Sequence, residues 1–155
     1  MMKQKRGQQK LSFGMIFSII LIVLFISFAV WGVTKLIQTK ENVEIEKFPS
    51  DLQDDVDEVW KSTYGEQKTS YTLPKEIDKV CFMKTDFGKN MKLTEKKDGL
   101  DRTRGEYNIE HIDIDSIVSE GEGGEYCIEN VDKNIKLTLK KEEGNSQVII
   151  EKRQD

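Results

Sequence analysis

The residues of this chain that could do chemistry are few, and the only histidine is the first to consider. His111 lies in the segment Glu-His-Ile-Asp-Ile-Asp at positions 110–115. On a β-strand, His111, Asp113 and Asp115 would share one face. Such a face can hold a divalent cation or carry the base of a hydrolase, and it can equally be a polar face turned to water. We favour the solvated face, and we predict no metal site and no cofactor.

Glycine and glutamate alternate at positions 120–125, which gives the acids of a calcium-binding loop without its spacing. We interpret this segment as a flexible turn. The sequence contains no GxSxG or HExxH motif and no phosphate-binding glycine loop. We therefore predict that the protein is not an enzyme. A small surface hydrolase that uses His111 is the remaining catalytic alternative.

Two cysteines, Cys81 and Cys127, lie in segments with strand-like patterns. An even number of cysteines in an oxidising compartment favours a disulfide. A bridge between them would stabilise the fold by roughly 3–4 kcal/mol on the chain-entropy model. Two buried free thiols are the alternative. A redox or metal role has no CxxC motif or Cys/His cluster to support it.

An uncharged apolar stretch determines where the rest of the chain resides. No ionisable side chain occurs between Lys10 and Lys35, and residues 13–33 are almost entirely apolar. As a helix, these residues would extend about 31 Å, close to the thickness of a bilayer's hydrocarbon core. We predict one transmembrane helix. A cleaved signal peptide, with Ser27-Phe28-Ala29 as its cleavage site, is an alternative, but the apolar run is longer than a signal core. A packed core helix of a soluble protein is the other.

The charges that flank this stretch predict its orientation. The first twelve residues carry four bases and no acid, at Lys3, Lys5, Arg6 and Lys10. Because positive flanks stay in the cytoplasm, we expect a cytoplasmic N-terminus and an extracytoplasmic C-terminal domain on the cell membrane. Trp31 suits the outer headgroup boundary.

The rest of the chain is acidic. Residues 34–155 hold 20 basic and 28 acidic side chains, which argues against binding to nucleic acid. The predicted partners are membrane lipid and a membrane or surface protein, or a second copy of the chain. Gly14 and Ser18, four residues apart, have the spacing of small residues that pack membrane helices together.

The pattern predicts an α+β protein in four parts: a basic cytoplasmic flank at 1–12, a transmembrane helix at 13–33, a connector at 34–69 and a β-rich extracytoplasmic domain at 70–155. Within the connector, Pro49 suits the first turn of a short amphipathic juxtamembrane helix, which would end near Tyr64-Gly65.

Short alternating runs from residue 70 onward predict an antiparallel sheet or a small sandwich. Apolar and polar residues alternate around Val80, Met91, Ile112, Tyr126 and Ile135. A turn at 143–145 precedes a last strand at 147–152. The polar stretch at 84–106 has the weakest pattern, and it predicts either one hairpin or a mobile loop.

The N-terminus resembles the processing site of archaeal prepilins at Lys5-Arg6-Gly7-Gln8, where a hydrophobic helix follows shortly after. The resemblance implies cleavage between Gly7 and Gln8, after which the helix would join a filament core. Pilins typically have a Glu five positions past the cut, where this chain has Ser12, and Lys10 adds a charge to the helix.

The chain also resembles small archaeal single-pass membrane proteins. The matching features are the start RGQQKLSFGMIFSIILIV, Leu73-Pro74, Val80-Cys81-Phe82, Tyr126-Cys127-Ile128 and a final apolar hairpin. This resemblance implies topology and source rather than an activity. We therefore predict a membrane-anchored structural or interaction module at the cell surface, with a pilin-like filament subunit as the alternative.

Overall fold

The structure is a computed structural model that describes residues 13–153. Within that range the chain forms two helices and seven strands, which confirms the α+β class. Their bounds are α1 Phe13–Lys61, β1 Gly65–Thr72, β2 Ile77–Met83, β3 Met91–Lys97, β4 Leu100–Tyr107, α2 Ile114–Ser119, β5 Glu125–Glu129, β6 Asn134–Lys141 and β7 Ile149–Lys152.

Helix α1 runs without a break through Pro49. The predicted charged connector, with a separate helix starting at Pro49, is therefore wrong. Residues 34–47 contain no glycine and many Lys, Glu and Gln residues, which sustain a helix. A proline inside a helix removes one backbone hydrogen bond and typically costs about 3 kcal/mol. Pro49 is buried, and this packing offsets part of that cost.

The chain divides into two compact units between Lys40 and Glu41. We call residues 13–40 of α1 the apolar segment and residues 41–61 the core segment. In the apolar segment every residue is exposed except Leu21, which is partly buried. Apart from Leu21, its seventeen large apolar side chains, from Phe13 to Ile37, are 45–85% exposed. This segment therefore makes no apolar core within its own unit.

The core segment buries one face of its helix. Its five buried apolar side chains recur every three or four residues, the spacing of an amphipathic helix: Ile45, Phe48, Leu52, Val56 and Val59. They share one apolar core with residues from both sheets. The ring of Phe48 meets that of Tyr71 on β1 edge-to-face, with centroids 5.2 Å apart. The second unit thus includes a helix, although β-structure dominates it.

The strands form two antiparallel sheets. The three-stranded sheet has the order β1-β6-β7, and the four-stranded sheet has the order β4-β3-β2-β5. The alternation seen in the sequence is borne out in β6, where Ile135, Leu137 and Leu139 are completely buried. In β2, Val80 and Phe82 are buried on the core side.

The polar stretch at 84–106 contains the β3–β4 hairpin rather than a mobile loop. Its two-residue turn consists of Asp98 and Gly99, both with positive φ (56° and 78°). A type I′ turn requires this conformation at both central positions, and Asp-Gly is one of its preferred pairs. A local turn signal thus fixes a hairpin whose strands have few apolar residues.

The segment around His111 is not a strand. Ile112 makes a single parallel bridge to Val148, and α2 begins at Ile114. The carboxylate of Asp113 accepts a hydrogen bond from the backbone N–H of Ser116 at 3.1 Å, which caps the helix. The alternation of Ile112 and Ile114 therefore indicated the wrong element, because the cap decides the local structure.

Candidate functional site

The two cysteines lie directly opposite each other on neighbouring strands of the four-stranded sheet. Cys81 on β2 is paired in register with Cys127 on β5. Their Sγ atoms are 2.00 Å apart and their Cα atoms 4.0 Å apart. The predicted pair is thus at disulfide distance. Cys81 is completely buried, whereas Cys127 is exposed on an edge strand.

Two ion pairs lie on the same side of the sheet as this bridge. Lys92 Nζ is 2.5 Å from Glu125 Oε1, and Lys79 Nζ is 2.6 Å from Asp101 Oδ2. The hydrogen bond from Lys79 lowers the pKa of Asp101, and the same bond raises the pKa of Lys79. Lys79, Lys92 and Cys81 all line a small polar cavity of about 130 Å³. The disulfide therefore lies beside two ion pairs.

A carboxylate oxygen of Glu125 and the two Sγ atoms lie within 4.8 Å of one another. Two thiolates and a carboxylate are a ligand set that suits zinc. In the bridged state both sulfurs are bonded to each other, and Glu125 is paired with Lys92. The absence of a metal site stays a prediction.

His111 joins a second cluster, which connects the core segment to the loop before α2. Its Nδ1 is 3.0 Å from Asp57 Oδ1, and its ring stacks on Trp60 with centroids 3.8 Å apart and planes 11° apart. Trp60 Nε1 donates a hydrogen bond to the carbonyl of Ser146 at 2.9 Å. His111 has a positive φ of 64°, a conformation that is uncommon for a residue with a side chain.

Gln53 completes this cluster. Its side-chain amide donates to Asp57 Oδ1 at 2.7 Å and accepts from the backbone N–H of Glu110 at 2.7 Å. The hydrogen bond with His111, and then that with Gln53, lower the pKa of Asp57. Among residues 13–153, the ring contacts found for His111 are with Asp57 and Trp60 rather than with a hydroxyl. The cluster can therefore hold the core segment against the loop that precedes α2.

The predicted polar face of His111, Asp113 and Asp115 is not formed, because the three residues do not share a strand. Asp113 caps α2, and its hydrogen bonds with Ser116 lower the pKa of its carboxyl group. Asp115 lies in the first turn of α2 and pairs with Lys84 Nζ at 2.7 Å. Each of the three side chains thus has a separate structural partner.

The residues predicted for helix packing are in the apolar segment. Ser18 Oγ donates to the carbonyl of Gly14 at 2.8 Å, so the hydroxyl is satisfied within its own helix. Both residues are exposed. Packing with another helix stays a prediction. Gly7 and Gln8, the predicted processing site, lie outside the described residues.

Helix α1 is the one helix among residues 13–153 that is long and apolar enough to cross a membrane, and its most apolar window is entirely unburied. This length and composition suit a segment that spans a membrane.

Comparisons with protein families, with curated proteins and with solved structures find no match to this chain.

Proposed function

We propose that the protein is a membrane-anchored structural or interaction module, which presents its β-rich domain outside the cell and performs no catalysis. One observation carries this proposal: the apolar segment leaves its large side chains exposed, while the unit from Glu41 onward contains a core of its own. Soluble proteins rarely expose an apolar surface of this extent.

A bilayer is the environment that suits the apolar segment. Each fully buried large apolar side chain gains about 1.5–3 kcal/mol on leaving water. A helix satisfies its own backbone hydrogen bonds, as a segment surrounded by lipid must. The side chains of Ser18, Ser27 and Thr34 each donate to a carbonyl of α1, three or four residues earlier. These three hydroxyls therefore require no partner outside the helix.

Charge supports an extracytoplasmic position for the C-terminal domain. Four bases precede the apolar segment, and acids exceed bases after it. The positive-inside rule then favours a cytoplasmic N-terminus. The cysteine pair at disulfide distance agrees with an oxidising compartment. In this arrangement the sheets and their ion pairs meet partners outside the cell.

The arrangement of the polar clusters favours a binding or structural role over catalysis. His111 and Asp57 hold a loop against the core segment, and Trp60 covers the imidazole ring. A catalytic base needs access to the proton that it removes. The acids at Asp113 and Asp115 have their own partners. The partner of the module would be a membrane or surface protein, or a second copy of this chain.

Topology is tested with protease added to intact cells that express the full chain with an epitope tag at each end. We expect loss of the C-terminal tag and protection of the N-terminal tag. Permeabilised cells, in which both tags become accessible, serve as the control. Protection of the C-terminal tag in intact cells would show the opposite orientation and refute an extracellular role.

Cross-linking of intact cells then tests the interaction role, and a chain recovered only as an unlinked monomer would count against it.

A pilin-like filament subunit is the second candidate, and the continuity of α1 favours it. A filament subunit must carry its globular domain on the helix that assembles, and no connector interrupts α1 between the apolar and core segments. Sequencing the N-terminus of the protein from native membranes distinguishes the two roles. An N-terminus at Gln8 together with filaments would support the pilin-like role, and an intact Met1 would exclude it.

A further inference from the structure

The two sulfurs of the bridge differ in their exposure to solvent. The neighbouring register pair, Val80 and Ile128, belongs to the buried core, so the cysteines lie on the outer face of the sheet. Cys127 is exposed on the edge strand β5, while Cys81 on the inner strand β2 is completely buried. A reagent from solvent therefore reaches Cys127 and not Cys81.

The cavity next to Cys81 holds charges of both signs and a hydroxyl donor. Lys79 and Lys92 line it, each paired with an acid, and a carboxylate oxygen of Glu125 lies within 4.8 Å of the two sulfurs. Thr94 lines the same cavity, is 4% exposed, and has a buried hydroxyl with no hydrogen-bond partner. An unsatisfied buried hydroxyl has a free energy cost. A thiolate formed at Cys81 would lie on the same cavity as this hydroxyl.

We propose that the Cys81–Cys127 bridge is a site of thiol–disulfide exchange, at which a low-molecular-weight thiol forms a mixed disulfide with Cys127. The incoming thiolate attacks Cys127 Sγ. The bond between the two cysteine sulfurs breaks, and its electron pair leaves on Cys81 Sγ as a thiolate. The Thr94 hydroxyl donates a hydrogen bond to that thiolate, which then takes a proton from water. Return attack by the Cys81 thiolate on Cys127 Sγ re-forms the bridge and releases the small thiol as a thiolate.

The fold can keep its shape through this exchange. The register of β2 with β5 extends from Lys79 opposite Glu129 to Met83 opposite Glu125, so four register pairs besides the cysteines join the two strands. The core residues of both strands point away from it. The reaction is therefore expected in the native state, without unfolding.

The test uses the full chain in detergent micelles, purified without reductant and incubated with glutathione. The exchange is quenched with acid, the chain is then denatured in urea with excess N-ethylmaleimide near neutral pH so that a buried thiol is also alkylated, and peptides are analysed by mass spectrometry. We expect glutathione on Cys127 and N-ethylmaleimide on Cys81, at a rate that does not change with urea below the unfolding transition. An adduct mainly on Cys81, or reaction only as urea unfolds the domain, would overturn the proposal. Membrane topology does not affect this result.

Thr94→Val tests the proposed stabilisation of Cys81. The exchange rate should fall about threefold to tenfold, the effect of one hydrogen bond, and Thr94→Ser should restore it. Thr138→Val makes the same change at a buried threonine of the three-stranded sheet and should leave the rate unchanged. Circular dichroism verifies that each variant is folded. Equal rates in Thr94→Val and the unsubstituted chain would contradict a leaving thiolate at Cys81.

Discussion

Helix α1 contains two segments that differ in whether their apolar side chains are buried. In the apolar segment, residues 13–40, large apolar side chains surround the helix and are exposed. In the core segment, residues 41–61, apolar side chains occupy one face and are buried, while acids fill the other. A one-sided pattern is typical of a helix packed on a protein core, and an all-round pattern is typical of one surrounded by lipid.

The two segments belong to one helix, yet their side chains differ in burial. One helix, Phe13–Lys61, includes both segments and Pro49. Within the described residues 13–153, the buried apolar cluster begins at Ile45. Changes of the same kind should therefore have different effects in the two segments.

Placing charged side chains in the apolar segment has the largest expected effect, which is on membrane insertion. Replacing Ile20 and Leu24, both more than half exposed, with Arg should cost about 5–7 kcal/mol of insertion free energy at the membrane centre. We expect less of the chain to resist alkaline extraction from membranes. The control is Asp54→Arg with Glu58→Arg, two exposed positions at the same spacing in the core segment. Equal membrane retention in both variants would remove the distinction between the segments.

Shortening a leucine side chain should destabilise the domain when the leucine is in the core segment and not when it is in the apolar segment. Leu52 is completely buried, so Leu52→Ala should lower the free energy of unfolding by about 2–5 kcal/mol. Leu36 lies in the apolar segment and is 71% exposed, so Leu36→Ala should leave unfolding of the β-rich domain unchanged. Urea denaturation in micelles measures both. A similar loss in the two variants would mean that the apolar segment contributes to the core.

The smallest expected effect concerns the polar side of the core segment. Hydrogen bonds from His111 and Gln53 lower the pKa of Asp57 in the folded state. The stability from this group is therefore present above its unfolded pKa of about 3.9, and it is lost as pH falls through the lower folded pKa. Because the pair is partly exposed, it contributes less than about 1 kcal/mol. Asp57→Asn should flatten the acid limb of a plot of unfolding free energy against pH, and an unchanged limb would contradict this role.

Local patterns in the sequence predict much of the fold. The uncharged run predicts the apolar segment of α1, and period-two alternation predicts the strands around Val80 and Ile135. Both signals act within a few residues, where side-chain spacing reflects secondary structure directly. The cysteine pairing follows because the chain has two cysteines in strand-like segments.

Contacts between distant residues explain what the sequence does not predict. Asp57 and His111 are 54 positions apart, and Lys92 and Glu125 are 33 apart, so only the tertiary fold brings them together. The break predicted at Pro49 is absent because neighbouring helix formers and packing outweigh one lost hydrogen bond. The strand predicted at Ile112 is replaced by α2 because Asp113 caps it.

Separating the two segments of α1 tests whether the anchor and the core belong to different segments. We expect residues 41–155, expressed without the preceding segment, to remain soluble without detergent and to unfold in one cooperative urea transition. The full chain should stay in membranes after alkaline extraction, and the shortened chain should not. A shortened chain that aggregates, lacks a cooperative transition or remains in membranes would contradict the assignment of the core and the anchor to different segments.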